Sequence, residues 1–159
     1  QSRDDAPHYQ HSEIGYNYRM SNICAGIGRG QMEVIDLRVS QRRAVNAFYQ
    51  VLFKDNPDVT VFKEPNANYF SNYWLSAIIL NSFEQREALR LALEQENIES
   101  RPLWKPMHLQ PVFEKFPYYG TTVSADLFEK GLCLPSGSNL TTADLDRIKD
   151  VLIRFFRSN

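Results

Sequence analysis

Eight prolines punctuate the chain, and none falls between Ser21 and Phe53. Proline removes a backbone donor and clashes with the preceding turn, so a run this long without one is where helix can extend. Apolar residues recur through it at Ile23, Ile27, Val34, Ile35, Val39, Phe48, Val51 and Leu52. The spacing predicts one long amphipathic helix over 21–53, or two helices broken near the glycines, with Ser21 as the N-cap. Gly26 and Gly30 lie four apart on one face of that helix. Each costs about 1 kcal/mol relative to alanine, so they point to close approach of another backbone or to a functional need. A phosphate-loop reading of the stretch fails. The dinucleotide fingerprint wants a third glycine where Gln31 stands, and no strand precedes it.

The rest of the chain is more interrupted. Residues 1–15 are polar, carry Pro7 and Gly15, and read as an arm or linker that something normally precedes. Val59–Phe62 is a short strand candidate, and Tyr73–Leu80 is apolar on both parities, as a strand buried on two faces would be. Ser82 with Gln85 resembles a capping box and opens a helix to about Glu96, with Leu89, Ala92 and Leu93 inward. Asn97–Leu103 returns as a strand. Four prolines between Pro102 and Pro117 forbid a long regular element there. Ser124–Lys130 is a short helix stopped at Gly131, and Leu132–Pro135 is a brief strand. A last helix opens at Thr141 or Thr142 with Asp144 completing its box, and buries Leu145, Ile148, Leu152 and Phe155. The order predicts an α/β (α+β) fold, a three- to four-stranded mixed or mostly antiparallel sheet with helices on one side.

Composition bounds the function. A chain of 159 residues with 43% hydrophobic and 13% aromatic residues is one domain's length and can fill a sizeable core. Eighteen Lys and Arg against nineteen Asp and Glu leave a formal charge of −1, which removes the electrostatic case for a nucleic-acid binder. No apolar run approaches the roughly 18 residues a membrane helix needs, and the polar opening is no signal peptide. Two cysteines, Cys24 and Cys133, make no disulfide framework and suit a cytoplasmic protein.

Three places concentrate chemistry. In Gly15–Asn22, Asn17 and Arg19 alternate with Tyr16 and Tyr18, so an extended segment would aim the amide and guanidinium the same way. Arginine suits bidentate grip of phosphate or carboxylate, although a capped helix entry with a solvated Arg19 explains the spacing as well. In Arg101–His108, prolines pin Trp104, Lys105 and His108 in a rigid loop suited to a ring and an anion. The plainer alternative has Trp104 plugging the core and His108 capping a turn. Third, His8 and His11 lie three apart and Cys24 and Cys133 could add ligands. Nothing fixes the spacing of that second pair, so no metal site is expected.

The stretches GYNYRMSNICAGIGRGQME, RPLWKPMHLQPVF and LFEKGLCLPSGSNLT, taken in order, resemble the C-terminal part of the DegT/DnrJ/EryC1/StrS family of sugar-nucleotide aminotransferases, in particular the UDP-N-acetylbacillosamine transaminase type. The resemblance covers essentially the whole chain. It implies the small C-terminal domain of an aspartate-aminotransferase fold type, from a pyridoxal-phosphate (PLP) homodimer with active sites at the subunit interface. In such a protein residues 1–20 are an arm from a large PLP domain, 21–53 an interdomain helix, and 54–159 the small domain. Amino groups would pass from glutamate to C4 of a nucleotide-linked 4-keto-6-deoxy sugar, a precursor of surface polysaccharide or glycan.

The resemblance also distributes roles. Asn17 matches the residue that reaches the partner subunit's cofactor phosphate, and Arg19 the one that reaches the partner's substrate anion. Trp104, Lys105 and His108 fall at the substrate mouth. The Schiff-base lysine of the family lies upstream, before a glycine-rich stretch, and none of Lys54, Lys63, Lys105, Lys115, Lys130 or Lys149 stands in that setting. The chain alone is therefore expected to be non-catalytic, with no covalently bound cofactor. The alternative is a binding or assembly subunit derived from the same family.

Overall fold

The proline-free run forms two helices, α1 (Asn22–Met32) and α2 (Ile35–Leu52). The structure is a computed structural model that describes residues 2, 5, 12–16 and 18–158. One unbroken helix over 21–53 is not what forms. The ladder ends where the Val34 N–H bonds Gln31 O at 3.2 Å, a tightened three-residue closure at Glu33–Val34 beyond Gly30. The chain divides into two compact units there, Gln1–Ile35 and Asp36–Asn159. Most of α2 thus belongs with the body that follows it, because Val45, Asn46 and Tyr49 are buried there.

In the first unit, Ser21 caps α1 by accepting from the Cys24 N–H at 3.2 Å. No residue of α1 is buried: Ile23 is 77% and Ile27 62% exposed. A Cβ at Gly26, Gly28 or Gly30 would meet no described atom within 4 Å.

The second unit is built on a four-stranded sheet in the order β1-β2-β4-β3, antiparallel throughout. Its strands are β1 (Thr60–Val61), β2 (Ser76–Ile79), β3 (Arg101–Pro102) and β4 (Gly131–Leu134). Between them run α3 (Phe83–Gln95) and α4 (Val123–Lys130), and α5 (Thr142–Ser158) closes the chain. Register sorts the sheet into two faces, because directly opposed residues point the same way. Ser76 with Leu134 and Ile78 with Leu132 share the inner face; Ala77, Cys133 and Arg101 share the other.

The inner face packs with Leu89 and Leu93 of α3, Tyr49 of α2 and Ile148, Val151 and Leu152 of α5. Phe53 meets Phe156 edge-on at 5.7 Å between ring centroids. The Tyr49 hydroxyl, carried into this core, donates to Pro135 O at 2.8 Å. Arg86 is almost wholly buried, and its Nε donates at 3.0 Å to Glu129 O at the carbonyl end of α4. A cation suits that helix end.

Strands β1 and β3 are shorter than their sequence reading, Val59–Phe62 giving only Thr60–Val61 and Asn97–Leu103 only Arg101–Pro102. Tyr73–Leu80 contributes only Ser76–Ile79 as strand, because Tyr73 takes a left-handed backbone with φ of 45°. Gly131 is the first residue of β4 with φ of −89°, so its role is not to turn the chain. A Cβ there would run into the Leu103 side chain and the Leu127 carbonyl oxygen. The glycine lets the end of α4 and the loop after β3 close on one point.

Candidate functional site

Arg42 and Arg43 are neighbours on α2, so their side chains leave the helix about 100° apart. Arg42 Nη1 donates to Trp74 O at 2.5 Å and to Ser136 O at 3.1 Å. Arg43 donates to Glu64 and to the Ser71 carbonyl, and its guanidinium lies 4.2 Å from the Phe70 ring centroid. The Ser71 N–H bonds Glu64 Oε1 at 2.6 Å, and the Glu64 N–H bonds the Tyr73 hydroxyl at 3.1 Å. These bonds hold Tyr73 in a backbone region that costs a non-glycine residue about 1–2 kcal/mol. The turn at Tyr73 swings Trp74 out of strand register.

What the turn builds is a cleft of about 470 Å³ on the sheet face turned away from the helices. Leu75, Cys133 and Pro135 line its floor. Trp74 and Trp104 stand at its side with ring centroids 5.9 Å apart and planes 36° apart. They are 59% and 66% exposed, so Trp104 plugs no core. Glu99, Ser100 and Arg101 supply the polar rim. Arg101 Nη2 pairs with Glu99 Oε1 at 2.5 Å, an exposed pair worth little by itself. Among the described residues, Ser100 Oγ is the buried side-chain polar atom without a hydrogen-bond partner.

The residues expected from sequence are distributed unevenly. Trp104 lines the cleft, and Lys105 follows it, exposed. Gln110 Nε2 donates to Lys105 O at 3.3 Å and ties that loop. His108 sits in a 3-10 turn, Met107–Leu109, half-buried and stacked on Tyr118 at 3.7 Å and 15°. It does not line the cleft. Arg19 lies exposed in the first unit, before α1. Asn17, His8 and His11 lie outside the described residues. Cys24 is exposed and Cys133 buried, and no metal-binding group of three forms among the described residues.

Sequence reasoning missed Trp74 and the Glu99–Ser100 rim. The available signal for Trp74 was its being one of only two tryptophans in the chain.

No lysine here fits a covalent cofactor site. Such a lysine needs an enclosed pocket that depresses its pKa. Lys54, Lys63, Lys105 and Lys115 are exposed, Lys130 and Lys149 are only half-buried, and none lines the cleft.

The four-stranded antiparallel sheet under its helices is a mixed α/β fold shared with solved aminotransferases. The model of the DegT/DnrJ/EryC1/StrS aminotransferase family matches residues 1–153, and the chain belongs to that family. Members and structural neighbours are PLP-dependent, some of them solved with PLP bound. The chain is 43% identical, over 99% of its length, to EpsN of Bacillus subtilis (strain 168), which carries the name of a pyridoxal phosphate-dependent aminotransferase. It is 36% identical over 93% of its length to a GDP-perosamine synthase of Escherichia coli O157:H7. Among solved structures, a DegT DnrJ EryC1 StrS aminotransferase from Brucella abortus aligns over 97% of the chain with a TM-score of 0.79 and 27% identity. The chain spans 42%, 40% and 40% of these three proteins. No helix among the described residues is long and apolar enough to cross a membrane.

Proposed function

We propose that this chain is the C-terminal domain of a PLP-dependent aminotransferase acting on a nucleotide-linked 4-keto-6-deoxy sugar, with glutamate as donor. The observation that carries the reading is the family match across residues 1–153, supported by relatives named a pyridoxal phosphate-dependent aminotransferase at 43% identity and a GDP-perosamine synthase at 36%. PLP, when bound to such an enzyme, supplies an electron sink for moving an amino group. The lysine that carries it belongs to a part of the enzyme outside this sequence, so the chain is inactive alone.

The domain's own contribution is to wall the site and hold substrate. Asn17 donates its amide to the cofactor phosphate of a partner subunit, and Arg19 grips the substrate anion there. Both are chemically apt, an amide donor on phosphate and a planar fork on carboxylate or diphosphate. Trp104, Lys105 and His108 border the substrate entrance, with Trp104 on the cleft itself. The bare face of α1 supports assembly as a homodimer, since Ile23 and Ile27 would otherwise stay in water.

The test has two arms. Borohydride reduction of the chain incubated with PLP should fix cofactor on none of the six lysines. The chain expressed together with the coding sequence directly upstream of the Gln1 codon should aminate a nucleotide-linked 4-keto sugar in a glutamate-dependent way. Stoichiometric labelling of one of these lysines, with turnover, overturns the reading.

A further inference from the structure

We infer that Tyr118 is a positioning residue for His108: it holds the imidazole by one face, with Gly120 leaving it room, so that both ring nitrogens stay free for the substrate. The inference rests on the proposed function, which puts His108 at the substrate entrance, and names the device that orients it there.

The backbone around His108 is fixed locally. The Leu109 N–H bonds Pro106 O at 3.0 Å and the Gln110 N–H bonds Met107 O at 3.1 Å, the two closures of the 3-10 turn. The side chain is held differently. Among the described residues no hydrogen bond reaches the imidazole, and its ring contact is Tyr118, at 3.7 Å between centroids and 15° between planes. A stack occupies the face of a ring, whereas Nδ1 and Nε2 make their bonds in its plane, one as donor and one as acceptor when the imidazole is neutral. The stack therefore sets orientation without using up either nitrogen.

Tyr118 has an anchor of its own. Its hydroxyl donates to Thr121 O at 2.8 Å. Thr121 directly precedes the cap of α4, where the Asp126 N–H bonds Thr122 O at 2.9 Å. The ring is thus hung from a helix start and not from a free loop. Gly120 completes the bracket. Its φ is not positive, so the backbone there does not call for glycine. A Cβ would instead run into the Tyr118 hydroxyl and the ring carbon that bears it. Gly120→Ala therefore displaces Tyr118 while leaving both rings in the chain, which separates the position of the ring from its presence.

Two readouts test the assignment. In carbon–proton NMR spectra of the chain, His108→Gln identifies the His108 ring signals among those of three histidines. Protons over an aromatic face are shielded, so the parent signals should lie upfield of ordinary histidine. Tyr118→Leu and Gly120→Ala should return them downfield, and Tyr118→Phe should keep them upfield. Steady-state kinetics follow on the enzyme made by expressing the chain with its upstream coding sequence. His108→Gln, Tyr118→Leu and Gly120→Ala should each raise KM for the nucleotide-linked keto sugar about fivefold, the worth of one ordinary hydrogen bond, with kcat little changed. Tyr118→Phe should recover most of the loss seen with leucine. Because Tyr118 acts through His108, the double variant His108→Gln/Tyr118→Leu should be no worse than His108→Gln.

Ring signals that stay put in Tyr118→Leu overturn the stack, and KM effects that simply multiply in the double variant overturn the positioning. An enzyme that aminates its nucleotide sugar with the parental KM in all three variants sinks the inference and leaves the proposed function standing. A parent enzyme that aminates no such sugar, while its His108 signals are shielded as described, fails the proposed function and leaves the stack in place.

Discussion

Arg43 and Glu64 face each other with two donor–acceptor pairs, Nη1 to Oε1 at 2.8 Å and Nη2 to Oε2 at 3.4 Å. The arginine bond, then the Ser71 N–H, hold the Glu64 carboxyl below its ordinary value of 4.5. A depressed carboxyl contributes stability above its unfolded pKa and loses it as pH falls through the folded one. Glu64→Gln should therefore lower the urea midpoint at neutral pH. The gap from the parent should close as pH is taken below about 4.5 and through the folded pKa. A gap that persists unchanged in acid would remove the ion pair from the account.

Tyr49 is fully buried, and burial raises its hydroxyl pKa well above the ordinary tyrosine value. It stays a neutral donor to Pro135 O. Tyr49→Phe keeps the ring and deletes the bond, leaving a carbonyl short of its donor, at a cost of about 1–2 kcal/mol. Urea denaturation at neutral pH measures it. A neutral result would show that water replaces the phenol.

Two glycines should respond oppositely to alanine. Gly131→Ala forces Leu103 and the Leu127 carbonyl aside and should cost about 1–3 kcal/mol by overpacking. Gly26→Ala meets open space and should raise the helicity of α1, since alanine is favoured by about 1 kcal/mol. Thermal melts and far-ultraviolet dichroism of the chain read the two effects.

The thiols should separate cleanly. Cys24 is exposed, whereas Cys133 is buried and burial raises its pKa. Thiolate is the reactive form, so one equivalent should label rapidly at neutral pH and the second only as the sheet opens. Two equally fast equivalents would mean that β4 is not closed in solution.

Most helix ends were readable because their partners lie within a few residues. Thr141 and Asp144 form the expected reciprocal box, with Thr141 N bonded to Asp144 Oδ2 at 2.8 Å and Asp144 N to Thr141 Oγ1 at 3.2 Å. Ser82 caps α3 as its spacing with Gln85 implied. Short apolar runs separated by helices implied three or four strands, mixed or mostly antiparallel, and all the pairs formed are antiparallel. The cleft was less legible. Trp74 looks like a strand residue in an apolar run, and the turn at Tyr73 is held by Glu64 and by Arg42 and Arg43, about thirty positions earlier. Local pattern carries no trace of such contacts. Gly131 ends α4 where the sequence placed it, but its need for a missing side chain comes from the Leu127 carbonyl and from Leu103, far away in sequence.

Both margins of the sheet are two residues long, and the outer one, β3, contains Pro102. Proline offers no amide for a further strand, and the charged pair beside it repels an incoming backbone. Fibrillar growth by strand addition is thereby blocked at that margin.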